Sequence, residues 1–305
     1  MVERNLAKVK VAGSRPVFRS TVIRNAPVVE LVDTQDLKSC DSNVVRVQVP
    51  SGVQREKLHR NMKLFLFKSF SLAQLQMSNL LIKQKLIEAE NLALQLFTVA
   101  QERNYFSPNQ TEKQLNTKLY QLAFELFGIK KFWHKRIVRS GKNTLCPYKE
   151  NPPDLEIQND DILFVDFGPV FENWEADIGD TYVIGNNPLK LKLKQDVKLA
   201  WNEGREFYNK HKTELTGADF YNYTKELAKK YGWEYGNHHC GHLIGNFPHE
   251  EILGEDIINY IHPENNQFMC DKDKLGNERY WIYEIHFVDK VNQTGGFYEK
   301  CLISL

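Results

Sequence analysis

The order of predicted helices and strands most constrains the fold of this chain, because the same order occurs twice. Apolar periodicity predicts a long helix that begins at Ser78 as its N-cap. A second helix opens at a capping box over 111–114 and ends near Gly128. Helices are predicted again over 189–211 and 217–230, and strands follow each pair. The pattern favours an α+β fold of two similar halves with its site between them.

Four acidic residues lie in strands of strongly apolar character. Asp166 ends the strand in DDILFVDFG and Asp177 opens the strand in ADIGDTYVIG, so a hairpin would place these carboxylates side by side. Glu284 lies within RYWIYEIHFVD, and Glu299 follows it across a Gly-Gly turn predicted at 295–296. Burying carboxylates among such residues is costly unless positive charge compensates them.

Two histidines, His242 and His249, lie near the ends of the segment CGHLIGNFPHE. Taken singly, each histidine is explained by burial in a core, and each acidic residue by a turn, a strand end or an ion pair. Taken together, the four carboxylates and His242 are five oxygen and nitrogen ligands. Such a set suits a pair of divalent cations.

Composition narrows the setting of the protein. The 305 residues include 40 basic and 39 acidic side chains, and this balance gives no reason to expect a nucleic acid or a membrane as partner. Apolar runs are shorter than the roughly 20 residues of a membrane span. The five cysteines share no disulfide or metal-site spacing, which indicates free thiols in a reducing compartment. We therefore predict a cytoplasmic protein.

Residues 1–60 lack the periodicity of a folded domain. Their stretch APVVELVDTQDLKSCDSNVVRVQVPSG resembles the conceptual translation of a transfer-RNA gene, which favours a start assigned too early. A genuine disordered extension is the alternative. Residues 61–77 form a leader of undecided structure, with Met62 or Met77 as the true start, and residues 78–305 form the predicted folded domain.

Four motifs, VDFG…EADIGDTY, CGHLIG…PHE, YEIHF and FYEK, occur in this order and resemble those of the pita-bread metallopeptidases. That family includes methionine aminopeptidases, Xaa-Pro aminopeptidases, prolidases and creatinase. The resemblance covers residues 78–305. It implies a pita-bread fold, in which helices cover a curved, mainly antiparallel sheet with two pseudo-symmetric halves. It also implies two divalent metal ions, with Mn²⁺ or Co²⁺ favoured and Fe²⁺ or Zn²⁺ as alternatives.

The resemblance assigns a role to each candidate residue. The implied metal ligands are Asp166, Asp177, His242, Glu284 and Glu299. Asp177 and Glu299 would bridge the two ions, and Glu284 would also accept a proton from the attacking water. His249, together with His238, would stabilise the oxyanion of the transition state.

The chain departs from the family pattern at two positions. Pro147 stands where the family often has a substrate-contacting histidine, so that contact is either missing or supplied by His134, His239 or Tyr148. Asp180 stands where the family often has an arginine.

The activity implied by the resemblance is hydrolysis of an N-terminal residue from a peptide. His238 resembles an additional histidine of the Xaa-Pro branch, whereas CGH followed by IG is closer to the methionine branch. Methionine aminopeptidase-like hydrolysis and creatinase-like C–N hydrolysis are alternatives, and a non-catalytic binding module is an alternative of another class. The predicted partner is a peptide or small amide substrate, with no nucleic acid or membrane, and a homodimer is left open.

Overall fold

The computed structural model describes residues 10–12, 15–17, 28–30, 44–46, 55–247, 257–273 and 276–303, with side chains from residue 77 onward. The chain divides into two compact units, Met1–Leu72 and Ala73–Leu305. Across the described residues we find no helix long and apolar enough to span a membrane.

The described residues of the first unit include four strands of three residues each. Strand β1 (Lys10–Ala12) pairs antiparallel with β2 (Arg15–Val17). Strand β3 (Val28–Glu30) pairs in parallel with β4 (Val44–Arg46). The predicted nature of residues 1–60, as a start assigned too early or a disordered extension, stays a prediction.

Helix α1 spans Arg55–Glu102, so the prediction that it begins at Ser78 was wrong. The sequence has no proline or glycine between residues 53 and 102. Nothing in this stretch stops a helix, and a serine without a break before it stays in the helix interior. In its later turns the helix buries Leu86, Ala93 and Leu96.

The other three predicted helices are confirmed. They are α2 (Glu112–Phe127), α3 (Pro188–His211) and α4 (Gly217–Tyr231). Helices α2 and α4 each begin at a capping box, with Thr111 and Thr216 as the N-caps. Each ends at a glycine with left-handed backbone, Gly128 in α2 and Gly232 in α4. These local signals define the helix ends without help from the rest of the fold.

The second unit is built on a seven-stranded sheet in which every pair of strands is antiparallel. The strands of this unit are β5 (Ile137–Ser140), β6 (Ile162–Phe167), β7 (Val170–Phe171), β8 (Trp174–Glu175), β9 (Ile178–Val183), β10 (Glu234–Tyr235), β11 (Leu243–Ile244), β12 (Tyr280–Asp289) and β13 (Thr294–Cys301). Strands β7 and β8 form a separate short hairpin. The predicted α+β class is confirmed.

The sheet also confirms the two predicted halves. Its strand order is β10-β12-β13-β9-β6-β5, and β11 pairs with β12. Strands β5, β6 and β9 follow α1 and α2, whereas β10, β12 and β13 follow α3 and α4. The halves meet where β9 pairs with β13, so the last strand of each half lies at the centre of the sheet.

Alternate residues of the strands face two different environments. In β6, Leu163 and Val165 pack in a hydrophobic cluster with buried residues of α1 and α2. In β12, Tyr283 and Ile285 pack in a second cluster with residues of α3 and α4. Because side chains alternate across a strand, the residues between them point away from the helices. That opposite face carries the candidate site.

The turn between β12 and β13 differs from the sequence prediction. It lies at 290–293, and both glycines that were predicted to form it belong to β13. A Cβ atom on Gly295 would lie 2.3 Å from the carbonyl oxygen of Thr144. Glycine is needed here because another backbone approaches closely, which a sequence pattern cannot distinguish from a turn.

Candidate metal centre

Three carboxylates lie in one row across the centre of the sheet. Asp166 of β6 is opposite Gly179 of β9. Gly179 is also opposite Glu299 of β13, which in turn is opposite Glu284 of β12. Directly opposite residues of antiparallel strands share a face. The three carboxylates therefore project from the same side of the sheet.

Asp177 adds the fourth carboxylate to this face. It lies two residues before Gly179, and residues two apart along an extended chain point the same way. The predicted pairing of β6 with β9 is present, but Asp166 is opposite Gly179 and so lies diagonal to Asp177. The register differs from the prediction because the β7–β8 hairpin occupies the connection and pairing begins at Phe167 with Ile178.

The four carboxylates are buried, with exposures of 7% for Asp166, 5% for Glu284 and 2% each for Asp177 and Glu299. Oδ1 of Asp166 and Oε2 of Glu299 make no hydrogen bond within the described residues. Burial, opposed in part by His134, raises the pKa of Asp166 to about 7. Burial and the charge of Asp177 raise the pKa of Glu299 well above its usual value.

The donor set fits divalent cations. Buried carboxylates that repel one another and leave oxygens without partners are stabilised by a positive ion, and oxygen and imidazole ligands suit manganese, cobalt, iron and zinc. This fit rests on the charges and orphaned oxygens of the carboxylates themselves.

His242 lies on one side of Asp177. Its Nε2 is 3.1 Å from Oδ2 of Asp177 and 3.8 Å from Oε1 of Glu299. Its Nδ1 is 2.8 Å from the carbonyl oxygen of Leu243, so the tautomer with a proton on Nδ1 leaves Nε2 free to bind a metal. Ligand atoms of His242, Asp177 and Glu299 all lie within 4.8 Å of one another.

His134 lies on the other side of Asp177. Its Nε2 is 3.0 Å from Oδ1 of Asp177 and 3.5 Å from Oδ1 of Asp166. Burial lowers the pKa of His134, but the charges of Asp177 and Asp166 outweigh it and raise that pKa to about 9. Ligand atoms of these three residues also lie within 4.8 Å of one another. Its predicted contact with substrate stays a prediction.

A cavity of about 520 Å³ opens over the row of carboxylates. The predicted site residues in its wall are His134, Tyr148, Asp166, Asp177, His238, His239, His242, Glu284 and Glu299. His249 lies outside the described residues. The structure therefore brings every described candidate to one cavity.

The two adjacent histidines, His238 and His239, differ in what they contact. Nδ1 of His239 is 2.6 Å from Oε1 of Glu284, at an angle that does not make a hydrogen bond. His238 is exposed, and its backbone N–H donates to Oδ1 of Asn237. Asn237 was not predicted, although its Nδ2 lies 3.5 Å from Oε1 of Glu284. The polar run NHHC before the ligand-bearing segment was the available signal.

The two positions that depart from the family pattern lie in different places. Pro147 and Tyr148 line the cavity, and the Tyr148 hydroxyl accepts a 3.2 Å hydrogen bond from the backbone N–H of Lys135. Asp180 does not line the cavity, and its carboxylate lies 2.8 Å from Nζ of Lys198 on α3. Its charge is thus compensated outside the carboxylate row.

This arrangement defines a pita-bread domain, in which two halves of a mainly antiparallel sheet meet beneath a cluster of carboxylates and histidines. Residues 84–278 match metallopeptidase family M24. The chain belongs to this family, and its members' metal dependence agrees with the donor set of the cavity.

Curated relatives match about half of this chain. The chain is 24% identical over 162 residues to the Xaa-Pro dipeptidase of Pyrococcus horikoshii, a match that covers 50% of this chain and 45% of that protein. The chain spans about half the length of the curated relatives it matches.

Two solved structures cover most of both chains. The X-Pro aminopeptidase of Thermotoga maritima aligns with a TM-score of 0.56 at 20% identity, over 94% of this chain and 88% of that chain. The Xaa-Pro dipeptidase of Bacillus anthracis aligns with a TM-score of 0.57 at 17% identity, over 95% of this chain and 84% of that chain. At these identities the likeness shows the fold.

Proposed function

We propose that the protein is a peptidase that depends on two divalent metal ions and removes an N-terminal residue from a peptide, with preference for proline in the second position. The row of three carboxylates, with Asp177 beside it, carries this proposal. Four buried acidic side chains on one face repel one another, and together they suit a pair of cations. The names of the relatives support the Xaa-Pro preference.

Metal binding would use the predicted set, with Mn²⁺ or Co²⁺ as the first candidates. The proposed ligands are Asp166, Asp177, His242, Glu284 and Glu299. Such ions lower the pKa of water and polarise a scissile carbonyl group. The protein's own contribution is to fix the proposed carboxylate ligands on paired strands of one sheet, which restricts their movement.

Glu284 is the proposed proton acceptor, because it lies at the end of the carboxylate row and faces the cavity. A proton accepted there could pass to the leaving amine. Nδ1 of His239 lies 2.6 Å from Oε1 of Glu284, and this close contact would restrict the positions that the carboxylate can take. His238, exposed in the cavity wall, and His249 keep the proposed role of hydrogen bonding to the oxyanion.

Two other activities and one binding role compete with this proposal. Methionine aminopeptidase-like and creatinase-like hydrolysis would use the same ligands and differ only in the substrate. A non-catalytic pita-bread module would need none of these ligands. The presence of the full ligand set therefore opposes the module and leaves the choice of substrate to experiment.

The test is a substrate panel on protein reconstituted with Mn²⁺ or Co²⁺. The panel contains Xaa-Pro dipeptides and tripeptides, matched Met-Xaa peptides, and creatine, and released products are measured by mass spectrometry. We expect release of the residue before proline, abolished by a chelator and by Glu284→Gln. Preferred cleavage of Met-Xaa peptides or creatine would reassign the substrate. Bound metal at background level together with no hydrolysis would support the module.

A further inference from the structure

We propose that His134 is an additional metal ligand, so that each of the two metal positions is served by one imidazole and the two share Asp177. The inference rests on the proposed function, because it concerns the same pair of ions. It adds a nitrogen ligand to the five residues that the sequence motifs identify.

The two histidines have equivalent positions around Asp177. Nε2 of His134 faces Oδ1 of that carboxylate at 3.0 Å, and Nε2 of His242 faces Oδ2 at 3.1 Å. In both rings Nδ1 lies 2.8 Å from the carbonyl oxygen of the next residue, Lys135 or Leu243. Donation from Nδ1 to a backbone carbonyl fixes the tautomer in which Nε2 can bind a metal.

Each histidine also completes a separate group of possible ligands. His134 groups with Asp166 and Asp177, whereas His242 groups with Asp177 and Glu299. In both groups the ligand atoms lie within 4.8 Å of one another. Asp177 belongs to both groups, which is the arrangement expected of a carboxylate that bridges two ions.

The fold makes room for the His134 ring next to the carboxylates. A Cβ atom on Gly168 would lie 2.2 Å from Cδ2 and 2.4 Å from Nε2 of His134. The residue after the first ligand strand must therefore be glycine for the imidazole to occupy this place. The side chain of His134 is only 8% exposed, so its Nε2 is directed into the buried cluster rather than to solvent.

An imidazole at each metal position would affect which metals bind. Nitrogen ligands favour Mn²⁺, Fe²⁺, Co²⁺ and Zn²⁺ over Mg²⁺ and Ca²⁺, which prefer oxygen. We therefore expect His134→Ala to weaken binding of Co²⁺ much more than binding of Mg²⁺. An ion pair between protonated His134 and Asp177 would give the reverse, because removal of a positive charge should strengthen binding of any cation.

The deciding experiment is proton NMR of the protein loaded with Co²⁺, combined with a calorimetric titration of bound metal. The Nδ1 proton of a cobalt-bound imidazole exchanges with water and is strongly shifted by the paramagnetic ion. We expect two such resonances in the unaltered protein, one in His134→Ala and one in His242→Ala. His262→Ala is the matched control, since His262 lines the same cavity but belongs to neither ligand group, and it should retain both.

A single resonance in unaltered protein that binds two cobalt ions, and that persists in His134→Ala, would overturn the inference while leaving the proposed peptidase intact. The count in unaltered protein decides the question even if the variant does not fold. Failure of the unaltered protein to bind either Mn²⁺ or Co²⁺ would instead overturn the proposed function, and this inference with it.

Discussion

At the scale of single residues, Asp177, Asp166 and Glu299 share one face of the sheet, but their different surroundings shift their pKa values in different directions. Asp177 lies between two imidazoles, and although burial opposes it, the charges of His134 and His242 hold the pKa of Asp177 below its usual value. Asp166 and Glu299 have raised pKa values because burial dominates at both. Of these three carboxylates, Asp177 therefore has the best stabilised charge in the metal-free protein.

Substitution of a proposed metal ligand should weaken metal binding, whereas substitution of an acidic residue outside the cavity should not. We expect Asp177→Asn and Glu299→Gln each to weaken binding of a metal pair by more than about 100-fold, beyond the range typical of residues that only support a ligand. Asp180→Asn is the control, because Asp180 pairs with Lys198 and does not line the cavity. Elemental analysis after dialysis measures the bound metal. Equal loss of bound metal in all three variants would contradict the placement of Asp177 and Glu299 in the metal site and of Asp180 outside it.

The stability of the metal-free protein should fall as pH rises. The raised pKa of Asp166, about 7 against 3.8, makes the folded state hold the extra proton between these values. The raised pKa of His134, about 9 against 6.5, has the same effect at higher pH. Both contributions to stability are lost with rising pH.

Thermal melting in a chelator at several pH values between about 5 and 9 measures this effect. Saturating Mn²⁺ should remove the fall, because the bound ion replaces the protons. A melting temperature that rises steadily with pH in the chelator would contradict the proposed electrostatics.

At the scale of elements, β9 decides how the site is assembled. It pairs with β6 on one side and with β13 on the other. Gly179 is the β9 residue that lies opposite both Asp166 and Glu299, so it occupies the middle of the carboxylate row. A Cβ atom there would lie 2.4 Å from the ring of Phe297 and 3.1 Å from Cβ of Glu299. The absence of a side chain lets the two halves of the sheet approach.

Gly179→Ala should therefore destabilise the protein by about 1 to 3 kcal/mol, the usual cost of inserting a methyl group into a packed interior. It should also weaken metal binding, because Glu299 must shift with its neighbour Phe297. Chemical denaturation and metal titration measure the two effects. Gly232→Ala is an informative comparison: nothing lies within 4 Å of its Cβ position, so its cost should come from the left-handed backbone alone and leave metal binding unchanged. Equal metal affinity in Gly179→Ala and the unaltered protein would contradict this role.

At the scale of the whole molecule, the described residues shortly after Met77 contact strand β12. The hydroxyl of Tyr280 donates a 2.8 Å hydrogen bond to the backbone oxygen of Asn79, and Leu86 packs with Tyr280 and Ile282. These contacts tie the later turns of α1 to strand β12. We predict that the domain does not need residues 1–76.

A chain that starts at Met77 should fold, bind metal and melt at the temperature of the full chain. A matched chain that starts at Lys83 loses Asn79 and its hydrogen bond to Tyr280, and should be less stable by about 1 kcal/mol or more. Thermal melting and metal titration of both chains provide the measurement. Failure of the Met77 chain to fold would show that residues 1–76 contribute to the domain.

The sequence by itself determined the helices that carry capping boxes, the face alternation of the strands and the order of the proposed ligands. These features depend on hydrogen bonds and side-chain periods within a few residues, so a local pattern contains them. Ser78 shows the limit of such patterns, because a good capping residue does not end a helix that is already continuous.

Only the tertiary structure decided the register of the carboxylates and the positions of the surrounding histidines. The opposition of Gly179 to both Asp166 and Glu299 depends on pairing between strands far apart in the chain. The placement of His134 beside Asp177 likewise needs the loop before β5 to fold over Gly168. The physical reason is that register and close approach are set by packing between distant segments, about which a single strand or loop carries no local signal.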